Sequence, residues 1–209
     1  MKLFVPPLLF LLGILSIDAQ PIMRDVFVQM PDTLLPTLNH NNRLDLIDFI
    51  DAGLETEVAG ALNGGARLTE LTPQVMKLHL SPRAEMQACL LPERDAVCVV
   101  HSVQASAWDS TIKFYDRQTW TLLPTDDFIT LPTTTDFLTH PEGMTDQQYR
   151  NLLVQAGTPL IRADIRDGES IAFTYTSANE SSHEYREQVK TYVTEELIVK
   201  LKVKNETGQ

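Results

Sequence analysis

The sequence predicts an α+β fold: N-terminal helices, then an antiparallel β meander, then a second helix–strand set. Three observations predict it. Apolar residues recur at helical spacing up to Gly53. From Leu68 to Leu123 they alternate in short runs split by turn residues. Beyond Gly143 a helical stretch and alternating stretches appear again. Runs so closely spaced pair antiparallel, because parallel neighbours need crossovers of about a dozen residues. Helices and strands grouped in this order make an α+β arrangement.

The chain opens with Met1-Lys2, an apolar run from Leu3 to Ile17, then Asp18-Ala19-Gln20. One basic residue, a short apolar run and a small residue before the cut read as a secretory signal peptide over 1–19. The run is short of the roughly 20 apolar residues a membrane span takes, and no later run approaches that length. Residues 20–209 are then expected to form a single α+β domain. It divides into two subdomains, 20–123 and 144–209, if the Thr/Pro-rich connection between them separates two bodies. The expected product is a soluble protein that is not membrane-spanning.

Asp32 is placed to cap a short first helix that Pro36 limits. Asn41-Asn42 precede a second helix from Arg43 to Ala52, with Leu44, Ile47 and Ile50 on one face and Gly53 as the stop. Asn63-Gly64-Gly65 marks a turn. Six strand-like runs follow: Leu68 to Leu71, Val75 to Leu80, Glu85 to Leu91, Ala96 to Val103, Thr111 to Tyr115 and Trp120 to Leu123. Leu123 to Gly143 reads as a long surface connection. Thr145 and Gln148 form a capping box, followed by the stripe Tyr149, Leu152, Leu153 and Ala156. Leu160 to Ile165 and Ser170 to Thr176 then form a hairpin. Its apolar pattern prefers the register Ile165 against Ile171 and Ala163 against Phe173, which calls for a three-residue or bulged turn. Ser181 and Glu184 form another capping box, with Tyr185, Val189, Tyr192 and Val193 at helical spacing. Leu197 to Lys204 alternates as a strand whose lysines blunt an exposed edge.

The net charge is −11, and Lys2 and Asp18 cancel, so removing 1–19 leaves it unchanged. Such a charge repels phosphate backbones, so no nucleic-acid partner is expected. The two cysteines, Cys89 and Cys98, flank Pro92-Glu93-Arg94-Asp95. A turn centred between Glu93 and Arg94 sets Leu91 against Ala96 and Cys89 against Cys98 on one face of a hairpin. Opposed Cβ atoms lie about 4.5–5.5 Å apart, and bridging takes roughly 3.5–4.5 Å, so only a non-hydrogen-bonded pair suits a disulfide. A cross-strand disulfide and two reduced, half-buried thiols both fit the sequence. The spacing matches no zinc pattern.

No motif supplies a catalytic, cofactor-binding or metal-binding residue. The histidines His40, His79, His101, His140 and His183 are scattered and make no HExxH helix. His101 shares a strand face with Val97, Val99 and Val103 and reads as a core histidine. Asp45, Asp48 and Asp51 form a solvated stripe on the second helix, since a calcium cage takes oxygens from a folded loop. Asp164 to Glu169 superficially resembles such a loop, but a hairpin turn explains its glycine. GxSxG, Walker and GxGxxG patterns are absent. Trp108, Phe114, Tyr115 and Trp120 read as core packing before they read as a stacking surface. Asn179-Glu180-Ser181 and Asn205-Glu206-Thr207 match the eukaryotic N-glycosylation pattern.

Two stretches, Met30-Pro31-Asp32-Thr33-Leu34-Leu35-Pro36 and Asn41-Asn42-Arg43-Leu44-Asp45-Leu46-Ile47-Asp48-Phe49-Ile50-Asp51, resemble the leading motif of domain-of-unknown-function family 3256. Leu68 to Thr72, Val97 to Val100 and Asp109 to Tyr115 are similar to its following segments. The family occurs in exported proteins of gut- and mouth-dwelling Gram-negative anaerobes. The resemblance implies a periplasmic or outer-surface location, and carries no activity or site residue. It also implies that Thr33 in Asp32-Thr33-Leu34 and Ser110 in Asp109-Ser110-Thr111 match the acceptor triplet for O-glycosylation in such bacteria. The expected function is an interaction module for a protein or envelope component. A hydrolase of glycan or peptide working through unmarked carboxylates is the alternative, followed by a carrier of small apolar ligands.

Overall fold

The computed structural model describes residues 22–55, 57–59, 65–156, 159–177 and 191–202. The expected signal peptide, Asn63-Gly64, His183, the Ser181/Glu184 capping box with Tyr185 and Val189, and both Asn-x-Ser/Thr triplets lie outside them. The fold is α+β and mostly β. Helices α1 (Met23–Gln29) and α2 (His40–Asp51) lead. Strands β1 (Glu57–Ala59), β2 (Gly65–Leu71), β3 (Val75–Ser81), β4 (Ala84–Leu91), β5 (Ala96–Gln104), β6 (Trp108–Asp116) and β7 (Leu122–Leu123) form one seven-stranded antiparallel meander in chain order. After α3 (Thr134–Phe137) and α4 (Asp146–Ala156) come β8 (Ile161–Ile165), β9 (Ser170–Tyr175) and β10 (Glu196–Lys200), a small antiparallel sheet ordered β10-β9-β8.

Strand alternation gives the large sheet two apolar faces. Met76, Leu78, Met86, Ala88, Leu90, Val97 and Val99 pack with Met23, Val26, Phe27, Met30, Leu46 and Ile47 of the helices. Val75, Cys89, Leu91, Cys98, Val100 and Phe114 pack with Ala163, Ile165, Ile171 and Phe173 of the small sheet and Leu152 of α4. The connection after β7 is more than a surface loop. It places Phe128, Ile129, Phe137 and Leu138 in this second core, with Phe128 stacked on Phe114 at 4.4 Å.

The helical start departs from expectation. Met23, Val26, Phe27 and Met30 have the i, i+3, i+4, i+7 spacing of α1, whose first N–H reaches Pro73 O at 2.8 Å. Asp32 does not cap a helix but stands in a turn, where it accepts from Arg43 Nη2. The second helix begins earlier than expected, at His40, because Asn39 and Asn42 make a reciprocal capping box. Its buried face is Arg43, Leu46 and Ile47, while Leu44 is exposed. Arg43 is 2% exposed and also donates to the carbonyls of Phe27 and Met30 at the end of α1. Buried charge is tolerated only with such partners.

In the meander, Leu91 pairs with Ala96 and Cys89 with Cys98. Trp120 does not extend β7; it closes the β6–β7 turn at φ +56, where Asp116 Oδ1 accepts from the Gln118 and Thr119 N–H groups. The second hairpin has the register Ile165 with Ile171 and Ala163 with Phe173. Its loop bends at Gly168, φ +82, a conformation open to a residue without Cβ. Asp167 Oδ1 accepts from the Glu169 and Ser170 N–H groups and the Ser170 hydroxyl, which holds its carboxyl below the ordinary range. The Thr145/Gln148 box opens α4.

Candidate functional site, a charged cleft at the seam of two sheets

Small sheet meets large sheet along β8, and its backbone explains the polar residues there. Arg166 N donates to Ser170 O, so even-numbered residues of β8 turn their backbone toward β9. The N–H groups of Ile161, Ala163 and Ile165 therefore point away, as on any edge strand. Each is taken by a side chain of the large sheet. Asp109 Oδ1 accepts from Ile161 N at 3.2 Å, Ser110 Oγ from Ala163 N at 2.9 Å, and Gln87 Oε1 from Ile165 N at 2.8 Å. Gln87 is 3% exposed, and without this acceptor a buried donor would be orphaned. Ser110 Oγ also lies 2.7 Å from Ser102 Oγ.

Beside the sealed edge lies a cleft of about 140 Å³ lined by Thr69, Lys77, His79, Glu85, Arg162 and Asp164, among others. Strand alternation brings Lys77 and His79 of β3 and Glu85 of β4 to the same face as β8. Lys77 Nζ is 3.0 Å from Asp164 Oδ1 and 3.6 Å from Glu70 Oε2. Arg162 Nη2 is 2.8 Å from Glu85 Oε2, and its guanidinium lies 4.6 Å from the Trp108 ring centre. His79 Nδ1 is 3.5 Å from Glu85 Oε1. Each carboxylate thus faces a cation across the cleft.

A glycosidase-type general acid has its pKa raised, usually by apolar burial. The displaced aspartates among the described residues all move the other way. Asp51 is held down by Arg24, 2.7 Å away, Asp116 by the Thr119 N–H and hydroxyl, Asp136 by those of Thr133, and Asp167 as above. None of the four lines the cleft. Two wider depressions, of about 540 and 550 Å³, mix apolar and polar linings. One holds Met144, Leu152 and Tyr192 with Glu142 and Gln148, the other Phe128 and Leu123 with Arg94, Asp116 and Asp127.

The residues singled out from sequence are dispersed. Cys89 and Cys98 are free, buried and opposed inside the second core. Thr33 is exposed in the turn after α1, whereas Ser110 is half-buried between the sheets. Asp45, Asp48 and Asp51 are exposed on α2. His101 is half-buried, and burial, then Lys113, lowers its pKa. The four aromatics divide. Phe114 faces the small sheet, Tyr115 and Trp120 join the helical core 6.3 Å apart, and Trp108 carries Arg162. The cleft escaped the sequence reading, though Glu85 and Gln87 at inward positions of an apolar strand were its signal.

Among the described residues no helix is long and apolar enough to cross a membrane. No curated protein matches the chain. A solved domain of an uncharacterized protein from Porphyromonas gingivalis W83 shares the fold: TM-score 0.70 at 22% identity, covering 84% of this chain and 91% of that one. A family model described as protein of unknown function (DUF3256) matches residues 14–204, and the chain therefore belongs to domain-of-unknown-function family 3256.

Proposed function

We propose that this is an exported interaction module of the periplasm or outer surface, docking a polar segment of a protein or envelope component at the seam cleft. The observation that carries the reading is the convergence of Lys77, His79, Glu85, Arg162 and Asp164 in one small, half-exposed cleft. Their charges compensate in the free protein, so the partner must offer both signs. Exchange of one ion pair for another costs little at a half-exposed site and gives orientation more than affinity.

A photoreactive residue at position 79 tests this, with a control at the exposed Asp45 on α2. Adducts are expected from position 79 in cells and not from position 45, and Arg162→Glu should abolish them. Equal crosslinking from both positions, or none from position 79, refutes the cleft as a docking site. Export is tested separately by the N-terminus of the cell-envelope fraction, expected at Gln20.

A further inference from the structure

We infer that Cys89 and Cys98 form a buried dithiol that the folded protein holds reduced, and that becomes oxidisable only when the β4–β5 ladder opens. In an antiparallel sheet each residue turns its N–H and C=O toward the same neighbouring strand, and the side alternates along the chain. Leu90 N donates to Gln74 O at 2.9 Å, so Leu90 turns toward β3 and Cys89 toward β5. Independently, Gln104 N donates to Arg83 O at 2.8 Å. Counting by twos along the unbroken register from that bond reaches Cys89 opposite Cys98. Both bonds make the cysteines a hydrogen-bonded pair.

Such pairs hold their Cα atoms about 5.5 Å apart, a separation that a bridge accepts, so the Cβ atoms decide. In hydrogen-bonded pairs the Cβ atoms lie toward the wide end of the cross-strand range of about 4.5–5.5 Å, beyond the roughly 3.5–4.5 Å that a bridge takes. Closing the gap means distorting two central strands. Val75 pairs with Cys89 on the far side, and Phe114 with Cys98, so the row Val75–Cys89–Cys98–Phe114 is continuous. Both cysteines are 0% exposed, and the small sheet shares their core. Burial and the hydrogen bond with Cys89 push the Cys98 thiol up, which starves it of the reactive thiolate. Oxidation would take two electrons and two protons from the thiols and pass them to an oxidant. Here that oxidant cannot reach the sulfurs without unpairing β4 and β5 or lifting the small sheet.

The experiment uses refolded, reduced full-length protein exposed to glutathione disulfide, beside a guanidinium-denatured control. Samples are quenched, alkylated with N-ethylmaleimide in denaturant and weighed. The folded sample should keep both thiols, losing them at least about a hundredfold more slowly than the control, since core opening is rare. Thiol loss at the control rate, whether as a bridge two protons lighter or as a glutathione adduct, overturns the inference. Protein isolated from an oxidising compartment with the bridge formed and its cooperative melt intact would overturn it equally.

Discussion

Met86, Ala88 and Leu90 look onto two short helices, whereas Glu85, Gln87 and Cys89, their alternates on the same strand, look onto another sheet. A helix satisfies its own backbone, so the helical side needs apolar contacts and one polar device, Arg43, to hold the end of α1. A three-stranded sheet arrives with an unsatisfied edge, so the opposite side must supply acceptors. Asp109, Ser110 and Gln87 do so. The sheet-on-sheet seam is therefore the polar one, and the charged cleft opens there.

The largest expected effect tests the helical side. Arg43→Met strands the Phe27 and Met30 carbonyls, and should cost about 3 kcal/mol or more, read as a lowered denaturation midpoint with the slope unchanged. A cost under about 1 kcal/mol would mean water replaces the guanidinium and that this side has no polar device.

Next comes the seam. Gln87→Met keeps the volume but orphans the Ile165 N–H, at about 1–3 kcal/mol. Hydrogen exchange should quicken at Ile165 and along β8 while α1 and α2 stay protected. Uniform quickening would show that the two sides open together. Gly168→Ala should cost about 1 kcal/mol through its positive φ alone, again by midpoint shift.

The smallest effect is in pH. His101 has a lowered folded pKa, so the unfolded chain binds its proton first as pH falls. The stability it confers is full above the unfolded value near 6.5 and is lost progressively as pH drops through the folded value. His101→Gln should flatten the stability curve between pH 7 and pH 5. An unchanged slope would place the imidazole in solvent.

The two acceptor triplets implied by the family resemblance also differ by side. Thr33 is exposed, and the Ser110 hydroxyl is engaged by Ser102 and Ala163. Peptide mapping of protein from a native-type host should find any glycan at Thr33.

The meander, the Cys89–Cys98 register and the Ile165–Ile171 hairpin were legible because they rest on local alternation and turn residues. The first helix was legible too, in Met23, Val26, Phe27 and Met30, but its short length hid it behind the more conspicuous Asp32 and Pro36. Leu44 misled because propensity and periodicity cannot say that Arg43, with oxygen partners on Phe27, Met30, Asp32 and Asn39, will take the inward place. By itself the sequence determined which residues alternate and where the strands turn. Only the tertiary structure decided that Gln87, Ser110 and Asp109 would meet β8, that Lys77 would meet Asp164, and that the cysteines would fall in the wide register. The reason is physical. Periodicity is a property of one strand, but a hydrogen bond across residues 78 positions apart, such as Gln87 to Ile165, depends on how two sheets cross.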